Sequence, residues 1–214
     1  AQARTPEGRN RIMTDDAWPL LAPSAIPFGN DCQVPKEMDA DDLEKLRGDF
    51  AAAAQRAEQA GFDMVELHCG HGYLLSSFVS PLSNRRRDNY GGSLEARMRL
   101  PLEIFRSVRE VWPEHKPMSM RISACDWMDG GITGDDSVEM AKMLKDAGLD
   151  IIDVSTGNVI PGARPTEGGM FQTPFSDRIR NEVGIPTMTV GNITGAEAVN
   201  DIIRDGRADL CALA

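Results

Sequence analysis

Residues 62–73 are Phe62-Asp63-Met64-Val65-Glu66-Leu67-His68-Cys69-Gly70-His71-Gly72-Tyr73, a mostly apolar segment followed by histidines, glycines and a tyrosine. Residues 62–67 predict a β-strand that directly follows a helix, because Ala60-Gly61 is a typical helix end. The same pair, Ala147-Gly148, precedes the strand predicted at residues 151–154. Strands that alternate with helices in this way predict right-handed βαβ units and a parallel sheet.

The alternation continues along most of the chain. Residues 1–40 hold five prolines and no sustained hydrophobic period, so we expect a loop-rich segment there. Residues 41–214 are predicted to form successive α/β units without a linker, so we expect one domain over residues 1–214. The predicted helices cover residues 41–61, 94–112, 135–147, 175–183 and 196–204, and the predicted strands cover residues 62–67, 117–122, 151–154, 186–190 and 210–213.

Two parallel architectures are compatible with this order. A doubly wound nucleotide-binding sheet carries a GxGxxG or GxxxxGK[ST] turn, and the sequence contains neither. A (β/α)8 barrel instead builds its site from the C-terminal ends of many strands. Polar residues or glycines follow the predicted strands here, namely His68, His71, Arg121, Ser123, Ser155, Asn158, Gly191 and Asn192. We therefore expect an α/β fold of the (β/α)8 TIM-barrel type, present as a fragment that lacks the first strands and the C-terminal end.

Composition excludes several classes of protein. The chain has 23 Lys and Arg against 33 Asp and Glu, a formal charge of −10, which argues against a nucleic-acid partner. No apolar run approaches the ~20 residues of a membrane span, so we expect no membrane partner. The four cysteines form no CxxC pair, which is typical of a reduced, cytoplasmic protein without a cysteine–metal site.

Residues 68–73 carry the densest chemical signal. The imidazole N–H groups of His68 and His71 can bind one substrate oxygen, and the phenol of Tyr73 can deliver a proton. The alternatives are half of a metal site, histidines bonded only to the backbone, and a packed tyrosine. Because no third ligand follows at a suitable spacing, we expect no metal. A metal-dependent hydrolase barrel stays open as an alternative function.

Two motifs within residues 68–93 resemble the Old Yellow Enzyme family of flavin-dependent reductases. They are His68-x-x-His71-Gly72-Tyr73-Leu74 and Ser80-Pro81-x-x-Asn84-Arg85-x-x-Asp88-x-Tyr90-Gly91-Gly92-Ser93. Within that family the chain is most similar to the reductase part of aminobenzoyl-CoA and salicylyl-CoA monooxygenase/reductases. That finer resemblance rests on His68-Cys69, Leu74-Leu75-Ser76-Ser77-Phe78 and Arg207-Ala208-Asp209-Leu210-Cys211-Ala212-Leu213.

The resemblance implies an FMN-binding (β/α)8 barrel and an NAD(P)H:flavin oxidoreductase of the ene-reductase type. NADH or NADPH would reduce the flavin, which then reduces the activated C=C bond of an unsaturated carbonyl compound or acyl-CoA thioester. Within this function, His68 and His71 would hold the carbonyl or phenolate oxygen, and Tyr73 would protonate the α-carbon. Donors aimed at an oxygen that gains negative charge stabilise the transition state more than the ground state.

The resemblance also assigns cofactor and substrate contacts. Arg121 would bind the N1/C2 oxygen edge of the flavin, although an ion pair with Asp126 or Asp153 is the structural alternative. The remaining assignments are Gly191 and Asn192 at the phosphate, Gln2 at the pyrimidine ring, Ser155 and Asn158 on the substrate side, and Ser123 and Asp126 as further substrate-side candidates.

Other functions and partners stay open. A dienoyl-CoA reductase-like or demethylating relative would keep the family and change the reaction. A non-catalytic barrel fragment would change the class, and FMN binding distinguishes it from the enzymes. The expected partners are a small-molecule substrate and either further copies of the chain in a homo-oligomer or a fused flavin monooxygenase domain.

Overall fold

The computed structural model describes residues 18–30, 32–163, 165 and 168–213, and the backbone of residues 2–4 and 10–12. Its helices are α1 Ala40–Gln59, α2 Leu74–Val79, α3 Leu94–Arg109, α4 Gly134–Asp146, α5 Thr173–Val183 and α6 Ala196–Arg204. Its strands are β1 Gln2–Arg4, β2 Asn10–Ile12, β3 Leu21–Ala22, β4 Lys36–Glu37, β5 Val65–Cys69, β6 Met118–Ser123, β7 Ile151–Ser155, β8 Thr187–Thr189 and β9 Leu210–Cys211.

The main sheet has five parallel strands in the order β5-β6-β7-β8-β9, which is also their order along the chain. At least one helix separates each strand from the next. Sequential parallel strands with intervening helices are the repeating unit of a (β/α)8 barrel. The predicted fold class, part of such a barrel, is confirmed.

The two faces of the sheet differ in chemistry because neighbouring side chains along a strand point to opposite faces. The face that packs under the helices is apolar and almost fully buried. It comprises Leu67, Cys69, Met118, Met120, Ile122, Ile152 and Val154. The opposite face is polar: Glu66, His68, Ser119, Arg121, Ser123, Asp153 and Ser155 are brought side by side by the strand register. A cofactor or substrate can therefore meet polar side chains only on this second face.

Local signals in the sequence explain the helix boundaries. Ser93 accepts a hydrogen bond from the backbone of Ala96 and caps α3, as its position before the helix predicts. Helices α1 and α4 each begin with a capping box, formed by Asp39 with Asp42 and by Thr133 with Asp136. These caps orient helices that then cover the apolar face of the sheet.

The described part of the N-terminal segment, residues 18–30 and 32–39, packs against the loop after α2. Strands β3 and β4 form a two-stranded parallel sheet. The Arg86 guanidinium donates to the carbonyl oxygens of Pro23 (3.1 Å) and Met38 (2.7 Å) and pairs with Asp88 at 2.6 Å. The backbone N–H of Arg85 donates to Ser24 Oγ at 2.9 Å. Arg86 thus has a structural role, anchoring residues 23–38 to the loop after α2.

The structure adds elements that the sequence pattern does not indicate. Helix α2 occupies residues predicted as loop, and five of its six residues are buried. Gln2 lies in β1, which pairs antiparallel with β2. The side chain of Gln2 is outside the described part of the chain, so its proposed contact with the flavin stays a prediction. Of the described helices, none combines the length and the hydropathy needed to cross a membrane.

Candidate active site

The loop after β5 brings the three predicted catalytic side chains together. The rings of His68 and His71 lie 5.2 Å apart, and the rings of His68 and Tyr73 are also 5.2 Å apart, in an edge-on arrangement. Tyr73 is 66% exposed at the start of α2, and its hydroxyl has no hydrogen-bond partner among the described residues. The phenol is therefore free to act on a bound molecule.

His71 is held by hydrogen bonds on both sides. Its backbone N–H donates to Ser123 Oγ at 2.9 Å, and its ring Nε2 lies 2.6 Å from Ser155 Oγ. Ser155 in turn donates to Gln172 Oε1 at 2.9 Å, so the hydroxyl is an acceptor towards the imidazole. Because the Ser155 hydroxyl accepts a hydrogen bond from His71 Nε2, a neutral His71 carries its proton on Nε2.

Gln172 is the residue that the sequence analysis missed. Its Oε1 accepts from both Ser155 and Thr156, at 2.9 Å each, and its Nε2 donates to the carbonyl oxygen of Val190 at 3.1 Å. The amide therefore joins the loops after β7 and β8 and orients the hydroxyl that faces His71. Gln172 belongs to no motif in the sequence that could have indicated this position.

Both active-site histidines are neutral near pH 7. Burial lowers the pKa of His68, and the nearby Arg121 lowers it further. The pKa of His71 is lowered by burial first, then by His68 and Arg121. Two neutral imidazoles supply N–H donors without adding charge. The ring of His68, unlike that of His71, has no hydrogen-bond partner in the described part of the chain.

Arg121 forms the ion pair that was the structural alternative. Its Nε donates to Asp153 Oδ2 at 2.7 Å, its Nη2 lies 2.7 Å from the same oxygen, and Glu66 is 3.8 Å away. Asp153 is buried, and its Oδ1 has no partner in the described structure. The Arg121 side chain stays one-quarter exposed. No described residue accepts from its Nη1, so the ion pair leaves a donor free.

Asp126 and Ser123 form hydrogen bonds that hold loops in place. Asp126 is fully buried and accepts from Ser80 Oγ at 2.7 Å and from the backbone N–H of Ile132 at 2.8 Å. Ser123 is buried as well and donates to the carbonyl oxygen of Gly157 at 3.2 Å. Both residues hold loops in place, and Asp126 is not the partner of Arg121. Their position on the substrate side stays a prediction.

Ser155 and Asn158, which are predicted on the substrate side, lie together with His71. All three line a cavity of about 330 Å³ beside the loop after β7. The approach of that loop also explains Gly72, because a Cβ there would overlap the backbone oxygen of Asn158. The glycine of the His-Gly-Tyr motif is thus required by packing. In the ranges that the structure describes, no three His, Cys, Asp or Glu side chains could hold a metal ion.

Gly191 and Asn192 follow β8 in the loop that leads to α6. Both have positive φ, +101° and +52°, so their backbone N–H groups do not continue the strand pattern. Neither N–H has an acceptor among the described residues, which leaves two donors for an anion. A Cβ at Gly191 would overlap the Gln172 amide. The glycine is therefore needed for Gln172 as well as for a close approach of the backbone to phosphate.

Gly191→Ala is expected to lower the free energy of unfolding of the full-length protein by about 3 kcal/mol, from backbone strain and from displacement of the Gln172 amide. Gly195→Ala is the matched control, because Gly195 has a similar φ of +109° and open space around it. It should show the strain alone, about 1 kcal/mol. Urea denaturation measures both variants, and equal losses would contradict a structural role for the Gln172 contact.

Comparisons with known proteins identify the family of the chain. The model of the NADH:flavin oxidoreductase / NADH oxidase family matches residues 12–214. An NADPH dehydrogenase of Geobacillus sp. (strain WCH70) is 48% identical over 195 residues, which are 91% of this chain and 56% of that protein. The chain therefore spans little more than half the length of this relative.

Two solved structures share the fold. A 2-naphthoyl-CoA reductase in complex with 2-naphthoyl-CoA gives a TM-score of 0.82 at 26% identity, over 90% of this chain and 30% of that one. An Old Yellow Enzyme homologue from Zymomonas mobilis gives 0.76 at 25% identity, over 92% of this chain and 57% of that one. The expectation of a flavin-oxidoreductase family is confirmed. The chain belongs to the NADH:flavin oxidoreductase / NADH oxidase family.

Proposed function

We propose that this chain is part of an FMN-binding barrel domain, over residues 1–214, of an enzyme that reduces an activated C=C bond with NADH or NADPH. The observation that carries the proposal is the convergence of His68, His71 and Tyr73 on the polar side of the barrel sheet, with ring centroids 5.2 Å from His68. The two neutral imidazoles can donate hydrogen bonds to a substrate oxygen. The phenol, which has no hydrogen-bond partner, can give its proton to a substrate carbon.

The residues on this face fit FMN. Arg121 keeps one free donor beside its ion pair, and a guanidinium suits the carbonyl edge of the isoalloxazine ring. Gly191 and Asn192 offer two unbonded backbone N–H groups for the phosphate. A bound FMN supplies hydride transfer from the nicotinamide to the β-carbon of the alkene. We assign Arg121, Gly191 and Asn192 to cofactor binding on these grounds.

The side chains of this chain supply the other half of the reaction. His68 donates its free N–H to the substrate oxygen and stabilises the negative charge that develops there. The substrate oxygen competes with Ser155 Oγ for the Nε2 proton of His71. Tyr73 gives its proton to the α-carbon, and the exposed hydroxyl recovers a proton from water. NAD(P)H is oxidised, and the C=C bond gains one hydride and one proton.

The pair of histidines provides the test. Phenols bound over the flavin give a charge-transfer band, and His68→Ala with His71→Ala in the full-length, FMN-loaded protein is expected to abolish it, because no donor then holds the phenolate oxygen. His115→Ala is the matched control, since His115 is exposed and far along the chain in the loop before β6. A band that survives in the double variant at unchanged phenol affinity would refute the assignment.

An acyl-CoA thioester is a second candidate substrate. It is supported by the structural similarity to the 2-naphthoyl-CoA complex and by the sequence resemblance to the reductase part of aminobenzoyl-CoA and salicylyl-CoA monooxygenase/reductases. A cytoplasmic location, a homo-oligomer and a fused flavin monooxygenase domain are further proposals of the same kind. Steady-state turnover of an enoyl-CoA compared with a simple enone distinguishes the two substrate classes.

A further inference from the structure

An apolar groove runs beside the loop after β5, which holds His71 and Tyr73. It has a volume of about 430 Å³, within the range of small-molecule sites. One wall is formed by residues 20–24, 26–28, 32–33 and 35 of the N-terminal segment. The other wall is formed by residues 72–74, by Leu82, and by residues 159–160 after β7. The groove thus joins Tyr73 to the N-terminal segment, and no residue of the polar sheet face lines it.

The groove gathers large apolar side chains that are open to solvent. Leu21 is 42% exposed, Ile26 38%, Phe28 47% and Tyr73 66%, and all four line it. Contiguous exposed apolar surface of this kind is typical of a binding site. None of the described residues that line the groove carries a charge. It therefore suits an uncharged hydrocarbon group and gives no partner to the phosphates of a CoA nucleotide.

The position of Tyr73 connects the groove to the reaction. Tyr73 is the proposed proton donor to the α-carbon, and the same side chain lines the groove. With the substrate oxygen at His68, a group attached to the α-carbon passes Tyr73 and enters the groove. We propose that this groove binds an apolar alkyl or aryl substituent on the α-carbon of the unsaturated carbonyl substrate. This inference rests on the proposed function.

The experiment uses 2-cyclohexen-1-one and its 2-methyl and 2-butyl derivatives with the full-length, FMN-loaded protein. Each buried methylene contributes about 0.8 kcal/mol, roughly fourfold in kcat/KM. The three extra methylenes of the butyl group are then expected to raise kcat/KM about 60-fold over the methyl compound. Phe28→Asp places a charge in the groove and should reduce this ratio to below about fivefold. Val34→Asp is the matched control, an exposed apolar residue of the same segment outside the groove, and should keep the ratio.

A binding measurement accompanies the kinetics. The affinity of 2-butylphenol relative to 2-methylphenol, followed by the charge-transfer band, should show the same preference and the same loss in Phe28→Asp. A ratio near one in the unmodified protein, while 2-cyclohexen-1-one is reduced, overturns the groove proposal alone. If Phe28→Asp keeps the preference for the butyl compound but alters the oligomeric state, the groove is a contact between protein chains. That result also overturns the groove proposal. Failure to reduce any of the three enones overturns the proposed function and the groove proposal with it.

Discussion

Replacing Tyr73 with Phe in the full-length, FMN-loaded protein will slow alkene reduction by about 10²–10⁴-fold and leave reduction of the flavin by NAD(P)H nearly unchanged. The hydroxyl makes no hydrogen bond in the described structure, and the side chain is mostly exposed. Its removal therefore takes away the proposed proton donor without disturbing packing. Rapid-mixing spectrophotometry measures the two half-reactions separately, through loss and recovery of the flavin absorbance.

The chain offers a matched control for this substitution. Its other tyrosine, Tyr90, donates to Glu103 Oε2 at 3.1 Å, in the loop before α3. Tyr90→Phe removes a structural hydrogen bond and should lower stability slightly while leaving both half-reactions intact. If Tyr73→Phe slows both half-reactions equally, the tyrosine positions the ligand or the flavin, and the role as proton donor is lost.

The order of strands and helices could be predicted from the sequence, because alternating apolar segments and helix ends are local signals. Their boundaries could not. The strand predicted at residues 62–67 begins at Val65 in the structure and includes His68 and Cys69. Phe62, predicted to be the start of that strand, is 59% exposed. The start of β5 is set by its pairing with β6, which begins at Val65 opposite Met118. This register cannot be read from residues 62–67 alone.

Helix α2 could not be predicted for a different reason. It has six residues, fewer than two turns, and five of them are buried. A helix buried on most sides has no polar face, so the apolar period that reveals α1 or α3 is absent.

The site was predictable where it lies within one motif and unpredictable where it crosses loops. His68, His71 and Tyr73 are within six residues, and the structure brings them together. The hydrogen bonds of Gln172 link residues up to 18 positions apart, so only the folded chain shows them. The choice between Asp126 and Asp153 as the partner of Arg121 likewise required the strand register, in which Arg121 faces Asp153 directly.

The buried carboxyl of Asp153 makes the stability of the protein depend on pH. Burial raises the pKa of Asp153 to about 6, with Glu66 raising it further and Arg121 lowering it. Because the folded-state pKa lies above the ordinary value of 3.8, Asp153 contributes stability that is complete below about pH 4 and is lost as the pH rises through about 6. Arg121 limits that loss by pairing with the carboxylate form.

Arg121→Leu is therefore expected to lower the free energy of unfolding by about 3 kcal/mol at pH 8, where it leaves a buried carboxylate without a counter-ion. At pH 5 the loss should be much smaller, because Asp153 is largely protonated with or without the arginine. Urea denaturation of the full-length apoprotein at the two pH values measures this. Quenching of FMN fluorescence separately measures the loss of cofactor affinity that the free Nη1 donor implies.

Two further variants separate the buried ion pair from a general effect of removing an arginine. Arg204→Leu removes an exposed guanidinium that pairs only with neighbouring aspartates on the surface, and no measurable loss is expected at either pH. Adding Asp153→Asn to Arg121→Leu removes the unpaired charge, so most of the stability at pH 8 should return while FMN affinity stays low. A loss in Arg121→Leu that is the same at pH 5 and pH 8, and that Asp153→Asn does not relieve, would mean that the arginine acts through packing of its side chain. In that case the charge of Asp153 would have no part in holding Arg121 on the polar face of the sheet.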